Sequence, residues 1–363
     1  MLLKLSKLIF LALLFFNYSC KVFQIQQEPI EELVIYPSPP DTAKIQYLTT
    51  INSSIDIKEK RSPFVNFILG KEQALGINHP GDIISRYGTL LVSNGAIRGF
   101  AEINLNNKTL HYIVPKGKGE IRASMSCAFD SIGNLYVADE IRQQILVFNK
   151  TENGLKYITS FGDGVDFKPE FVLAFDNKLW VIGKNDRNIH VYDGKTYKPL
   201  FTFPNAVIGD DAFMWTPKYI NGFGDYIYVT DFFGFNIKVY DLKGNYFRTV
   251  GAPGKSPGQF SRPKDIAIDR EENLYVLDAA FGNVQIFNNK GQLLLYFGGQ
   301  NDNKGDIVLP KGIHIDYENR EFFEKYVDPD YTLKYLIYVT MQYGPNKVNI
   351  YGLVEPKQDL GTE

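Results

Sequence analysis

Cysteine and histidine are both scarce in this sequence. Its 363 residues include two cysteines, Cys20 and Cys127, and four histidines. Two cysteines cannot form the disulfide framework that stabilises many small exported domains. Zinc takes three or four histidine, cysteine or carboxylate ligands, and four histidines in the whole chain supply few of them. The metalloprotease motif HExxH and the redox motif CxxC do not occur, so the sequence gives no support for either enzyme class.

Long apolar runs are also missing. The run Leu8–Phe16 has nine residues, which is too short to span a bilayer, and it follows Lys4 and Lys7 as the core of an export signal does. The signal ends at Asn17–Cys20, where a small residue directly precedes the cysteine. This tetrapeptide resembles the lipobox of bacterial lipoproteins, which implies cleavage before Cys20 and acylation of its thiol. Asn17 departs from the leucine usual there, and the alternatives are cleavage without lipid or an uncleaved anchor.

Charge of one sign does not dominate the chain. The formal net charge is −2, and loss of Lys4 and Lys7 with the signal would take it to −4. A chain without a basic excess has no electrostatic reason to bind nucleic acid or an anionic membrane surface. We therefore expect no nucleic-acid partner, and contact with a membrane only through the lipid anchor.

What the sequence does contain is a repeated pattern of four short strands. The clearest copy covers residues 262–298, where apolar residues alternate with polar ones between turn residues. Alternation with a period of two is typical of strands. The second strand of the pattern begins at Leu90, Leu135, Leu179, Ile227, Leu274 and Ile337, with spacings of 45, 44, 48, 47 and 63 residues. Repeats of about 40 to 50 residues are typical of propeller blades, so the pattern predicts an all-β, six-bladed β-propeller of four-stranded blades.

The last blade lacks a fourth strand, because the pattern ends near Tyr351 and a polar tail follows. An unpaired strand edge invites aggregation. The segment Lys44–Ile51 has the length and apolar content to fill that place, and we predict that this N-terminal strand closes the ring. The long last interval is explained by an insertion, Tyr317–Lys334, between the first two strands of the final blade. A short helix is predicted over Lys58–Ala74.

These features divide the chain into four parts. Residues 1–19 are the predicted signal peptide, and residues 20–43 are the lipidated cysteine and a tether that contains four prolines. Residues 44–354 form the predicted propeller, and residues 355–363 are the polar tail. Proline fits poorly inside a sheet, which favours the interpretation of residues 20–43 as a spacer between lipid and propeller. We expect a monomer.

The repeat resembles a known family. The succession Pro263–Asp269, Asn273–Asp278, Asn283–Phe287 and Leu293–Gly298 resembles the NHL repeat, and the resemblance extends over residues 75–354. The segments 37–48 and 280–287 are more narrowly similar to exported bacterial NHL-repeat lipoproteins. This resemblance implies a propeller in the bacterial cell envelope. Because Lys21 and not aspartate follows the cysteine, it also implies the outer membrane, with the periplasmic or surface face left open.

The candidate binding face is one mouth of the central channel. In a propeller, the turns into the first strands and the turns between second and third strands converge there. The sequence places ten candidate partner-binding residues on these turns: Phe232, Phe233, Phe235, Phe281, Tyr343, Arg142, Arg187, Lys218, Lys264 and Lys311. Aromatic residues on exposed turns mark partner surfaces, although they can also pack between blades. The sequence therefore favours a non-catalytic binding or scaffold module for an envelope protein, peptide or glycan, with no cofactor.

The alternative is a hydrolase or lyase that holds calcium or zinc in the channel. Six residues are candidate metal ligands: His79, Asp82, Glu170, Asn221, Asp265 and His314. Carboxylate and amide oxygens suit calcium, and imidazoles suit zinc. The repeated Asp139, Asp231 and Asp278 are instead predicted to cap turns. The segment Gly254–Ser256 is predicted to be an inter-blade turn, although it looks like the end of a phosphate loop.

Overall fold

The computed structural model describes residues 33–357, except 59–66, 69, 71, 152–153, 163–166, 185 and 301–302. The predicted signal peptide, Cys20 and the first part of the tether therefore lie outside the described residues, as do most of the predicted helix at 58–74 and the last residues of the tail. In the part of the chain that is described, no helix has the length and apolar character needed to cross a membrane.

The described residues form twenty-five strands in six antiparallel sheets. Blade 1 contains β3 (Pro80–Arg86), β4 (Thr89–Asn94), β5 (Gly99–Asn104) and β6 (Thr109–Ile113), and blade 2 contains β7 (Ser124–Phe129), β8 (Asn134–Asp139), β9 (Gln144–Thr151) and β10 (Gly154–Phe161). Blade 3 contains β11 (Pro169–Phe175), β12 (Lys178–Gly183), β13 (Ile189–Asp193) and β14 (Pro199–Phe203), and blade 4 contains β15 (Pro217–Phe223), β16 (Tyr226–Asp231), β17 (Asn236–Asp241) and β18 (Tyr246–Val250). Blade 5 contains β19 (Pro263–Ile268), β20 (Leu274–Asp278), β21 (Asn283–Phe287) and β22 (Leu293–Gly298), and blade 6 contains β23 (Pro310–Asp316), β24 (Tyr331–Met341), β25 (Val348–Pro356), β2 (Ile45–Ile51) and β1 (Ile35–Tyr36).

The blades are arranged in a closed ring. The first strand of each blade contacts the first strands of the blades on either side, and β23 of blade 6 contacts β3 of blade 1. The first strands therefore surround the central channel. This arrangement confirms the six-bladed β-propeller predicted from the repeat.

The alternation within each strand explains how the blades pack. In β20, Leu274 and Val276 belong to the apolar core shared with blade 4, whereas Tyr275 and Leu277 belong to the core shared with blade 6. Successive side chains of a strand point to opposite faces, and in this ring both faces of a blade are covered. Each buried aliphatic side chain contributes about 1.5–3 kcal/mol. The period-two pattern therefore supplies the contacts between blades as well as those within them.

The ring closes through the N-terminal segment. Strand β2 pairs antiparallel with β25, with Tyr47 opposite Tyr351 and Ile45 opposite Leu353. The prediction of a closing strand at Lys44–Ile51 is confirmed, with the strand beginning one residue later. Strand β1 pairs with β2, so the segment predicted as a tether already contains a short strand at the outer edge of blade 6.

The insertion of the last blade lies where the sequence predicted it, between β23 and β24. It contains two short 3-10 helices, Arg320–Phe322 and Glu324–Tyr326. Asn319 is fully buried, and its Oδ1 accepts a hydrogen bond from the backbone N–H of Gly88 at 2.6 Å. The insertion thus ties blade 6 to a turn of blade 1, across the point where the ring closes.

Candidate functional site

One cavity opens at the channel mouth and is built from four consecutive blades. Strands β11, β15, β19 and β23 each begin with proline, which fits the first position of a strand because no ladder hydrogen bond is needed there. The residues that follow these prolines are Glu170, Lys218, Lys264 and Lys311. Together with Phe171, Tyr219 and Phe232 they line a cavity of 210 Å³, which we call the lysine pocket.

The three lysines of the pocket differ in their partners. The ammonium of Lys218 lies 2.6 Å from Glu170 Oε2. Lys264 Nζ donates to the backbone oxygen of Pro310 at 2.9 Å, and Lys311 Nζ lies 5.7 Å from the centre of the Tyr219 ring. Among the described residues, no carboxylate lies within 4.0 Å of the Lys264 or Lys311 ammonium. Two of the three positive charges are therefore not balanced by an ion pair.

The charges in the pocket also act on one another. Burial first of all, and then the neighbouring Lys311 and Arg262, lower the pKa of Lys264 to about 8. The pKa of Lys311 is raised, first of all by Tyr219 and further by the carboxylates of Asp265 and Glu170, against the opposing effect of burial. A negative charge placed near Lys264 would favour its protonated form.

Two buried carboxylates, Asp82 and Asp265, lie on the first strands and form no ion pair within 4.0 Å with these lysines, although both interact electrostatically with Lys311. Asp82 accepts hydrogen bonds from Ser126 Oγ at 3.1 Å and from the backbone N–H of Cys127 at 3.0 Å. Asp265 accepts one from the backbone N–H of Ile313 at 3.0 Å. Burial raises the pKa of Asp82 to about 6, and burial with the nearby Asp82 raises the pKa of Asp265 well above its usual range. These groups connect blade 1 to blade 2 and blade 5 to blade 6.

The other candidate metal ligands also have partners. Asn221 Nδ2 donates to the backbone oxygen of Ile266 at 3.0 Å, and His314 Nε2 lies 2.9 Å from Ser85 Oγ. The ring of His79 packs edge-on against Tyr343 at 5.2 Å, and Glu170 pairs with Lys218 as described above. Over the described stretches of the chain, no three histidine, cysteine, aspartate or glutamate side chains come together in a group that could hold a metal.

The repeated aspartates cap turns, as the sequence predicted. Asp231 is fully buried, and its carboxylate accepts hydrogen bonds from the backbone N–H groups of Trp215 at 2.8 Å, Thr216 at 2.7 Å and Gly234 at 3.1 Å. One carboxylate thus joins the turn into β15 to the turn between β16 and β17. Asp139 and Asp278 do the same in blades 2 and 5. These bonds confirm that the two sets of turns lie on one face.

The predicted aromatic residues lie at different depths. Phe232 lines the lysine pocket, and the ring of Phe233, which is 61 % exposed, lies 5.0 Å from it. Phe235 is half-buried and packs against the apolar core between blades 4 and 5. Phe281 is half-buried, and Tyr343 is exposed beside His79. Phe232 and Phe233 are therefore the aromatic candidates that adjoin the pocket.

The two predicted arginines have different roles. Arg142 Nη1 donates to the backbone oxygens of Lys118 and Glu120, at 2.9 and 2.8 Å, and so holds the connection between blades 1 and 2. Arg187 is exposed, and its guanidinium lies over the rings of Phe213 and Trp215 at 5.2 and 5.9 Å. Arg187 therefore belongs to the same surface as Phe233, whereas Arg142 is a structural residue.

The repeat pattern gave no indication of an exposed apolar loop whose last residue adjoins the pocket. Residues 204–216 connect blades 3 and 4, and we call this segment the tryptophan loop. Within it Val207, Ile208 and Trp215 are 68 %, 64 % and 49 % exposed. The loop adjoins the pocket because the backbone N–H of Phe232 donates to the oxygen of Thr216 at 2.8 Å. The signal for this loop in the sequence is Trp215, one of the two tryptophans of the chain, which lies in an inter-blade connection close to Asp210 and Asp211.

Gly254–Gly258 matches the spacing GxSxG of a hydrolase nucleophile elbow. The structure places this segment between β18 and β19, and the backbone N–H of Ser256 donates to Gln259 Oε1 at 3.1 Å. A nucleophile elbow needs a strand before the serine and a helix after it, and a loop and strand β19 follow here. The prediction that Gly254–Ser256 lies in an inter-blade turn is confirmed.

A larger cavity of 770 Å³ lies at the opposite end of blades 5 and 6. Its polar groups are engaged with each other: Tyr335 Oη donates to Asp269 Oδ2 at 2.8 Å, and the guanidinium of Arg270 lies over the Tyr317 ring at 4.0 Å. Four carboxylates line this groove beside four basic residues, whereas Glu170 is the one carboxylate that lines the lysine pocket beside three lysines. The channel mouth therefore has the greater local excess of positive charge and is the better candidate site for a charged ligand.

Comparisons with known proteins agree on the fold. Residues 209–294 match a family model described as a 6-bladed beta-propeller. A protein of unknown function from Bacteroides thetaiotaomicron is similar in structure (TM-score 0.56, 14 % identity, 77 % of this chain and 70 % of that one). An auxiliary nutrient binding protein from Bacteroides ovatus is also similar (TM-score 0.55, 13 % identity, 79 % of this chain and 71 % of that one). A streptogramin B lyase is similar as well (TM-score 0.51, 14 % identity, 78 % of this chain and 84 % of that one).

No curated protein is similar enough in sequence to count as a relative. Identities of 13 to 14 % show a shared fold and nothing finer. By sequence model and by structure, this chain is similar to six-bladed β-propeller proteins, some of them from Bacteroides.

Proposed function

We propose that this protein is a non-catalytic binding module, anchored in the bacterial envelope through a lipid on Cys20, that binds an envelope protein, peptide or glycan at its channel mouth. One observation carries the proposal: the exposed ring of Phe233 lies 5.0 Å from the ring of Phe232, which lines the lysine pocket. An exposed apolar cluster next to unbalanced charge is typical of a partner surface. The outer membrane is the proposed destination.

A rigid mouth suits this role. Side-chain hydrogen bonds join the second strand of one blade to the first strand of the next, such as Thr230 Oγ1 to the oxygen of Lys264 at 2.8 Å and Thr340 Oγ1 to the oxygen of Gly81 at 2.6 Å. A preformed surface loses little conformational entropy on binding. The description of the Bacteroides ovatus protein as nutrient binding agrees with a binding role for this fold, and that of the streptogramin B lyase shows that the fold also serves an enzyme.

A photo-crosslinking amino acid at position 233, introduced in the native organism, is expected to capture a discrete partner. Phe233 is 61 % exposed at the mouth, so the reactive group would lie at the proposed interface. The matched control is Ile132, which is 80 % exposed on a turn between β7 and β8 at the opposite end of the ring. Crosslinked species are resolved on gels and identified by mass spectrometry.

The double substitution Trp215→Ser and Phe233→Ser, with the crosslinker moved to position 187, is expected to reduce capture of that partner by about tenfold, since exposed aromatic residues dominate interface energies. The melting temperature should change little, because both side chains are largely exposed. Identical crosslinks from positions 132 and 233, or none from position 233, would contradict the proposal.

The lipid anchor predicts a separate result. Cells grown with an alkyne analogue of palmitate are expected to label the wild-type protein and leave the Cys20→Ala variant unlabelled, because the acyl group needs the Cys20 thiol. Cys127 provides an internal control: it is the other cysteine of the chain and is buried in β7. Equal labelling of the two proteins would exclude acylation of Cys20.

A further inference from the structure

We propose that the partner presents an acidic peptide segment, with one carboxylate held in the lysine pocket and an adjacent apolar side chain against Trp215 and Phe233. This inference rests on the proposed function and specifies the chemistry of its partner. It narrows the choice of protein, peptide or glycan to a protein segment that combines negative charge with an apolar residue.

Lys218, Lys264 and Lys311 occupy equivalent positions in three consecutive blades, and their side chains meet in one cavity. Glu170 pairs with Lys218, and no other carboxylate lines the pocket. The buried Asp265 and Glu170 act on Lys311 from a longer distance. An anion placed among these groups would contact Lys264 and Lys311, which have no carboxylate within 4.0 Å among the described residues. A carboxylate is small enough to contact both.

The volume of the lysine pocket limits the part of a ligand that it can hold. A volume of 210 Å³ is about seven times the share of one water molecule in the liquid, about 30 Å³. The pocket can therefore hold a carboxylate with a short stem, such as an aspartate or glutamate side chain or a chain terminus. The remainder of any larger ligand has to lie outside, on the surface of the mouth.

Phe233 presents aromatic surface beside the pocket, because its exposed ring lies 5.0 Å from the ring of Phe232, which lines the cavity. Trp215, which is also exposed, directly precedes Thr216, whose backbone oxygen accepts a hydrogen bond from the N–H of Phe232. An apolar side chain of a peptide gains from burial against these rings. The combination of cations and exposed aromatic surface therefore fits an acidic, partly apolar peptide.

The test is selection of a random peptide library displayed on phage against the folded protein, followed by direct binding of the selected peptides by fluorescence anisotropy. Aspartate or glutamate next to an apolar residue is expected to be enriched. Lys264→Gln and Lys311→Gln should each weaken binding about tenfold, a typical loss for a charged contact at an interface, and binding should weaken with added salt. Lys243→Gln is the control, since Lys243 is exposed on the turn between β17 and β18 at the opposite end of blade 4. Melting temperatures of all variants check folding.

Other outcomes would overturn the inference in distinguishable ways. The lysine pocket does not bind a carboxylate if the selected peptides lack acidic residues. The same conclusion follows if acidic peptides bind the Lys264→Gln variant and the wild type equally. If no peptide is enriched and oligogalacturonate binds in a way that depends on the lysines, the ligand is an acidic glycan. If inorganic phosphate displaces the peptides as strongly as free glutamate does, the pocket is a general anion site. In each case, crosslinking at position 233 reports on the proposed function independently.

Discussion

A chain that begins at residue 52, and so lacks β1 and β2, is expected to fail to fold into a stable monomer. Strand β2 buries Ile45, Tyr47, Leu48 and Ile51. At about 1.5–3 kcal/mol for each buried side chain, their loss is comparable with the whole stability of a typical domain, about 5–15 kcal/mol. The truncation also exposes the edge of β25, which invites association with other strands. Circular dichroism melting and size-exclusion chromatography measure both effects.

Two controls distinguish the loss of the closing strand β2 from a general effect of shortening the chain on stability. A chain that begins at residue 33 keeps both strands and is expected to melt cooperatively as a monomer. A synthetic peptide of residues 33–51, added to the truncated chain during refolding, should restore part of the stability, because it can supply the missing strand in trans. If the chain from residue 52 melted within a few degrees of the longer one, the closing strand would not be the basis of ring stability.

The second large effect is expected from Asp231→Ala, which should weaken both stability and partner binding. The substitution leaves the backbone N–H groups of Trp215, Thr216 and Gly234 without their acceptor. Each buried unsatisfied group costs about 1–3 kcal/mol, so the free energy of unfolding should fall by about 3 kcal/mol or more. The same bonds position Trp215 and Phe233, and binding of the selected peptides should fall by at least about tenfold.

Asp139→Ala is the matched control for this experiment. Asp139 of blade 2 accepts hydrogen bonds from the backbone N–H groups of Arg122, Ala123 and Arg142 at 2.7, 3.2 and 2.9 Å, so the same chemistry is removed. Blade 2 contributes no residue to the lysine pocket. We expect a similar loss in chemical denaturation and unchanged peptide affinity at a temperature where both variants are folded. Equal loss of affinity in the two variants would mean that Asp231 acts only through global stability.

The comparison of these two aspartates shows how far the sequence could predict the site. The position of Asp139, Asp231 and Asp278 after a repeated Tyr-Val or related strand was enough to predict turn caps, and their hydrogen bonds confirm it. Capping depends on local backbone geometry, which repeats with the sequence. The difference in function between them could not be predicted, because it depends on what lies on the neighbouring turn, Arg122 and Ala123 in one case and Trp215 and Thr216 in the other.

The sequence by itself determined the architecture of the ring. Alternation such as that of Ile266 and Ile268, within a pattern repeated six times, requires strands, and the missing fourth strand of the last blade requires a partner from elsewhere in the chain. Both requirements follow from local properties, namely the two-residue period of a strand and the hydrogen-bonding need of an open edge. Lys44–Ile51 was identified for this reason.

Only the tertiary structure decided which residues of the channel mouth act together. Glu170, Lys218, Lys264 and Lys311 are separated by 46 to 48 residues, and the sequence placed them on one face without showing that they line one pocket. Whether an ammonium has a carboxylate partner depends on side-chain positions across different blades, and charge acts over distances in space and not along the chain. The ring converts four equivalent positions into one pocket, pairs Lys218 with Glu170, and leaves Lys264 and Lys311 without a carboxylate within 4.0 Å among the described residues.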